Sequence, residues 1–142
     1  MMKSKSTDDL KKELTSAPDL SLFLADNQEH FNQRNFDDLL QALFQKSGLS
    51  KAVLAKRSGT SDVYLYQIFS GLRTPSRDRA ICLCFGLSAS LDETQELLKS
   101  GGFAPLYAKN RRDAIIMFGL THGMELFDMN DKLFSEREAT LC

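Results

Sequence analysis

The chain has no tryptophan, and its 142 residues include only three prolines, three cysteines and two histidines. The shortages exclude several classes of protein. Cys82 and Cys84 lie too close together for an ordinary disulfide, and with His30 and His122 as the two histidines no zinc-ligand spacing arises. Reduced thiols in a cytoplasmic compartment are the expectation. No apolar run approaches the roughly 20 residues that cross a bilayer. The start, MMKSKSTDDLKKEL, has no apolar core of a secretory signal. There is no glycine-rich phosphate loop, no serine or cysteine nucleophile in a catalytic setting and no histidine cluster. The acidic pairs Asp8-Asp9, Asp37-Asp38 and Asp92-Glu93 all fall at helix starts, where the helix dipole accounts for them. The chain is therefore expected not to be an enzyme, and to need no cofactor and no metal. Strand periodicity, repeats and low-complexity tracts are absent as well.

What is present is an ordinary globular composition, 42% hydrophobic and 26% charged, with an uneven charge distribution. The formal net charge is −1. Residues 1–45 carry five basic and eight acidic residues, and residues 80–142 carry six and nine. Between them, residues 46–79 carry seven basic residues against Asp62 and Asp78, a local charge of +5. A positive middle between negative flanks is the distribution that a phosphate-facing surface requires.

The apolar periodicity is helical throughout, so the fold class is all-α. Ser6 opens a helix that reaches Ser16 with Leu10 and Leu14 on one face. Pro18 breaks it, and a second short pattern follows from Asp19 to Asn27 with Leu20, Phe23 and Leu24. Residues 27–35 read as a polar link. Phe36, Leu39, Leu40, Leu43 and Phe44 then mark an amphipathic helix closed by Gly48. After the central stretch, Ala80, Ile81, Leu83 and Cys84 define another helix, and Ser90 with Glu93 makes a capping-box start for one that ends at Gly101-Gly102. The last forty residues hold a loop with Pro105 and Tyr107 and two more helices. One carries Ala114, Ile115, Met117 and Phe118, the other Leu126, Met129, Leu133 and Phe134. Arg111, Arg112 and Asp113 at the start of the first read as a surface salt-bridge set. The expected organisation is a helical appendage over 1–34, a central domain over 35–102 and a helical extension over 103–142.

The centre is the stretch from Leu49 to Ser76. Ser50 can cap one short helix and Ser61 a second, because their hydroxyls can accept from free first-turn amides. Ala55 is small enough for a close helix crossing, and Gly59 stands where the turn needs a positive φ. Leu65, Ile68 and Phe69 face inward on the second helix, Gly71 ends it, and Pro75-Ser76 opens the next. This is helix-turn-helix spacing. Ala55, Gly59, Leu65, Ile68, Gly71, Pro75 and Ser76 together resemble the pattern of the Cro- and lambda-repressor-like (Xre-type) helix-turn-helix family, over about residues 36–100. At two positions the chain departs from that pattern. A Gln common near the start of the first motif helix is Lys51, and a Glu usual before the second helix ends is Phe69.

The resemblance implies a lambda-repressor-like five-helix bundle, here with the appendage and two extra C-terminal helices. It also implies sequence-specific binding of double-stranded DNA by a transcriptional regulator. The helix from 61 to 70 would lie in the major groove, and a homodimer would span two half-sites. On that reading Ser61, Asp62, Val63 and Gln67 project into the groove, with Tyr64 beside them. Gln67 suits adenine, Asp62 a cytosine amino group and Val63 a thymine methyl. Lys51, Ser70, Arg73, Thr74 and Arg77 take the backbone-contact positions. Arg73 and Arg79 have Asp78 and Asp92 as rival partners. The alternative is a protein-interaction module on the same fold, such as an antitoxin or a kinase-associated partner, suggested by the acidic flanks and by Asp62 on the reading helix.

Overall fold

The computed structural model describes residues 6–26 and 32–142. Among them the secondary structure is entirely α-helical. In chain order the helices are α1 (Thr7–Ser16), α2 (Leu20–Asp26), α3 (Asn32–Ser47), α4 (Lys51–Arg57), α5 (Asp62–Phe69), α6 (Arg77–Gly86), α7 (Leu91–Ser100), α8 (Arg111–Thr121) and α9 (Leu126–Ser135). Most starts are fixed by a local side-chain cap. Ser6, Ser50, Ser61, Ser76, Ser90 and Asn110 each accept from the backbone N–H three residues on. Each such cap satisfies an amide that the helix leaves unpaired, and each is worth about 1 kcal/mol. At Ser90 the bond is reciprocal, since its own N–H donates to the Glu93 carboxylate at 2.9 Å.

The helix α6 is the axis of the fold. Its buried residues run without a gap from Ala80 to Gly86, so no face of it is left to solvent. It packs on α4, α7 and α9, while α3 lies along α7 and α8 along α9. Phe36 and Leu40 anchor α3, with its remaining apolar side chains partly buried around them. The core is continuous. Leu54, Leu65 and Ile68 of the central region share one apolar cluster with Leu106, Ile116, Leu120, Met129, Leu133 and Leu141 of the C-terminal region. Close crossings are built on small residues. A Cβ at Gly86 would stand 3.0 Å from Leu54 and Ser58, and one at Gly119 would collide with the Met129 sulfur.

The structure departs from the sequence reading in several places. The supporting helix begins at Asn32, so part of the expected 27–35 link is helical, and residues 27–31 lie outside the described residues. On α8 the buried side chains are Asp113, Ile116 and Leu120, whereas Phe118 is exposed and stacks on His122 at 3.9 Å. On α9 Leu126, Met129 and Leu133 are buried as expected, but Phe134 points out together with Phe127. On α2 Phe23 is covered, whereas Leu20 and Leu24 are exposed. The helices α1 and α2 pack on each other, and neither supplies a residue to the main core cluster.

Candidate nucleic-acid interface

The two helices α4 and α5 meet through a turn whose backbone bonds are local. Ser58 ends α4, and its buried hydroxyl donates to the Leu54 carbonyl at 2.7 Å. Gly59 takes φ +61°, a region costly for residues with a Cβ. The Thr60 N–H then donates back to Ala55 at 2.9 Å, closing a Schellman-type end. The turn is also held from outside the motif. Arg79 Nη1 of α6 donates to the Gly59 carbonyl at 2.8 Å. On the other side, a Cβ built on Gly59 would lie 3.3 Å from the Cys142 sulfur and 3.5 Å from Leu126. The C-terminal region therefore backs the turn directly.

The helix α5 has a buried side and an exposed side. Leu65 and Ile68 are within 2% of full burial. Asp62, Val63, Tyr66 and Ser70 are exposed at helical spacing, and Gln67 is half-buried beside them. Val63 and Tyr66 are 68% and 62% exposed, a large apolar and aromatic surface for an eight-residue helix. Ser61 is the N-cap, with its hydroxyl accepting from Tyr64 N–H at 3.1 Å. The helix ends through Gly71, φ +78°, with Leu72 N–H donating to the Gln67 carbonyl. Thus Ser61 and Ser70 serve as the two caps of the helix, and their side chains already bond backbone atoms.

The cations around this surface differ in how they are held. Lys51 is exposed at the start of α4, its Nζ 5.7 Å from the centre of the Phe69 ring. The two positions at which the sequence departs from the family pattern thus contact each other, and Phe69 in turn packs on Phe44 at 4.9 Å. Arg73 is exposed on the exit loop and lies 4.9 Å over Tyr64, with Arg79 at 5.7 Å from the same ring. Tyr64 is half-buried, with two guanidinium groups within cation–π distance of its ring. Thr74 is exposed on the same loop.

Arg77 faces elsewhere. Its guanidinium donates to both Asp113 oxygens, at 3.3 and 3.0 Å, and to the carbonyls of Ala104 and Pro105. Next to it, Asp78 accepts two bonds from Arg112, whose remaining donors reach the carbonyls of Ala139 and Thr140. An Arg-Asp step at the start of α6 thus meets an Arg-Asp step at the start of α8, each arginine gripping the other step's aspartate. The rival pairings of Arg73 and Arg79 with Asp78 or Asp92 are not among the ion pairs of the described residues. Asp78 is taken by Arg112, and Arg79 bonds the turn carbonyl. Of the surface set expected at 111–113, Arg111 pairs with Glu136 and Glu138 at 2.8 and 3.0 Å, whereas Asp113 is buried against Arg77 and Arg112 is turned to Asp78.

Periodicity alone could have found Tyr66, three residues after Val63. The pairings of Arg77, Arg79 and Arg112 span 20 to 36 residues of sequence and carry no local signal. Among the described residues no cluster of His, Cys, Asp and Glu is placed to hold a metal, and no helix is long and apolar enough to cross a membrane.

The geometry is that of two short helices locked at a tight turn, with the second one presented. Residues 38–97 match a family model described as a helix-turn-helix domain. The match covers α4 to α6, most of α3 and most of α7. Comparison with curated proteins and with solved structures gives no match.

Proposed function

We propose that the chain binds double-stranded DNA in a sequence-specific way and acts as a transcriptional regulator, with α5 in the major groove and two copies spanning two half-sites. The observation that carries this is the division of α5. One side is fixed by Leu65 and Ile68, and the other presents Asp62, Val63, Tyr66 and the half-buried Gln67, with the cations Lys51 and Arg73 against the Phe69 and Tyr64 rings of the same helix. Lys51 and Arg73 supply phosphate contacts, and Gln67 reads a base edge. Arg77 is assigned to anchoring the C-terminal region, because its guanidinium donors go to Asp113 and two carbonyls. Dimerisation is favoured by the short reading surface, and the exposed Phe134 on α9 offers an apolar contact for it. Binding without catalysis, and a cytoplasmic location that keeps the thiols reduced, complete the reading.

Selection of bound sequences from a random duplex pool tests it. The expected output is an enriched palindrome, whose preference relaxes at one base pair in Gln67→Ala by roughly 1–3 kcal/mol. A second reading, a protein partner docked on the same α5 face, is favoured by the exposure of Val63 and Leu72, 68% and 76%. Absence of any enriched duplex, with retention of a protein ligand sensitive to Val63→Ser, would replace the first reading by the second.

A further inference from the structure

The turn that joins α4 to α5 also forms part of the wall of an open groove of about 500 Å³. Its apolar floor is made by Phe85 at the end of α6 and by Leu126 and Phe127 at the start of α9. Lys56 and Arg57, the last two residues of α4, and Glu125 form its charged rim. Phe85 and Leu126 are buried, whereas Phe127 is 74% exposed and so available to cover a guest. Past Arg57, Phe85 and Glu125 the groove continues into a smaller recess of about 150 Å³ floored by Leu120 and Met124. A volume of this size with an apolar base and a few charged groups at one end is that of a small-molecule site.

The charges narrow the guest. Among the described residues no carboxylate lies within ion-pair distance of Lys56. Arg57 donates to Ser88 Oγ at 2.7 Å and keeps further donors. Glu125 sits at the N-cap of α9, yet its side chain makes no cap bond. Among the lining side chains two cations face one carboxylate, which suits an anionic head group better than a cationic one. We propose that this groove binds a small amphipathic monocarboxylate, with its carboxylate on Lys56 and Arg57 and its apolar body on Phe85, Leu126 and Phe127. Binding here does not depend on the DNA-binding reading. Gly59 lines the same groove, so a bound guest would touch the turn of the helix-turn-helix itself.

The wall also contains a reporter. Cys142 lines the groove, its sulfur accepting from Asn130 Nδ2 at 3.2 Å, and it is exposed. The experiment titrates the full chain with sodium decanoate below its micelle concentration, with acetate and decanol as controls that keep only the charge or only the tail. Alkylation of Cys142 by iodoacetamide is followed alongside. The expected result is saturable binding of one decanoate per chain, at least tenfold stronger than either control, with Cys142 alkylation slowed at least fivefold. Lys56→Gln and Phe127→Ser, both on exposed side chains, should each weaken binding about tenfold while leaving the thermal transition in place. Non-saturable binding, or an alkylation rate indifferent to decanoate in the unmodified chain, would overturn the proposal. So would equal affinity in both variants.

Discussion

Gly59 holds φ +61° with the Cys142 sulfur and Leu126 packed behind it, so it faces both a backbone and a space requirement. Gly59→Ala is expected to cost about 1–2 kcal/mol from the left-handed backbone alone. A denaturant titration would show this as a lower midpoint with unchanged slope. The thiols differ for equally local reasons. Burial pushes the Cys84 thiol up to about 12, and burial also raises that of Cys82, helped by the neighbouring Cys142. A neutral alkylating reagent should therefore modify one thiol per native chain, Cys142, and all three only in denaturant. Rapid modification of Cys82 or Cys84 in the folded chain would contradict their placement. At Glu93, the Ser90 backbone N–H first and the Lys46 ammonium second hold the carboxyl below the usual range. A depressed folded value means stability is present above the unfolded pKa, about 4.3, and is lost as pH falls through the folded value. Glu93→Gln should accordingly reduce the difference in melting temperature between about pH 6 and about pH 3. An unchanged difference would remove Glu93 from the acid response.

Among the helices, those legible in the sequence are those whose ends and faces are written locally. Ser50, Ser61, Ser76 and Ser90 announce α4 to α7 because each caps through its own hydroxyl. The helix-turn-helix was readable for the same reason, since Ala55, Gly59, Leu65 and Ile68 act within about fifteen residues of one another. The inward faces of α8 and α9 were less legible. Phe118 and Phe134 are apolar, and periodicity places them with their neighbours, yet the small Gly119 takes the crossing with Met129 and rotates Phe118 outward. At the site, α5's N-cap Ser61 and the exposed Asp62 and Val63 could be named from the sequence, whereas the exposed Tyr66 was not among the site residues named. The approach of Arg73 and Arg79 to the Tyr64 ring and the contact of Lys51 with Phe69 could not, because both depend on how elements pack. The paired Arg-Asp steps of α6 and α8 make a separate element-scale prediction. Asp113 is buried, and removing it strands the Arg77 guanidinium, whose side chain is 25% exposed. Asp113→Ala should cost about 2–3 kcal/mol, measured by chemical denaturation. A cost near zero would mean the clamp carries no stability.

For the molecule as a whole, the C-terminal region belongs to the core that presents α5. Leu126 and Cys142 back the Gly59 turn, Met129 and Leu133 fill the cluster around α6, and Arg112 ties residues 139–140 to Asp78. Deleting residues 104–142 should lower the melting temperature by more than about 10 °C or abolish the cooperative transition. A truncated chain that melts like the full one would show that the central helices stand alone. Of the seven cations in the positive middle of the sequence, Lys51 and Arg73 border α5, while Arg77 and Arg79 are engaged within the fold. A duplex bound there releases counterions in proportion to the phosphates contacted. The most direct measurement is therefore the salt dependence of affinity for duplex DNA, in the unmodified chain and in a Lys51→Ala, Arg73→Ala double variant. The account predicts a steep linear fall of log affinity with log salt, and a slope shallower by about two units in the double variant. No binding at low salt, or the same slope in both proteins, would contradict it.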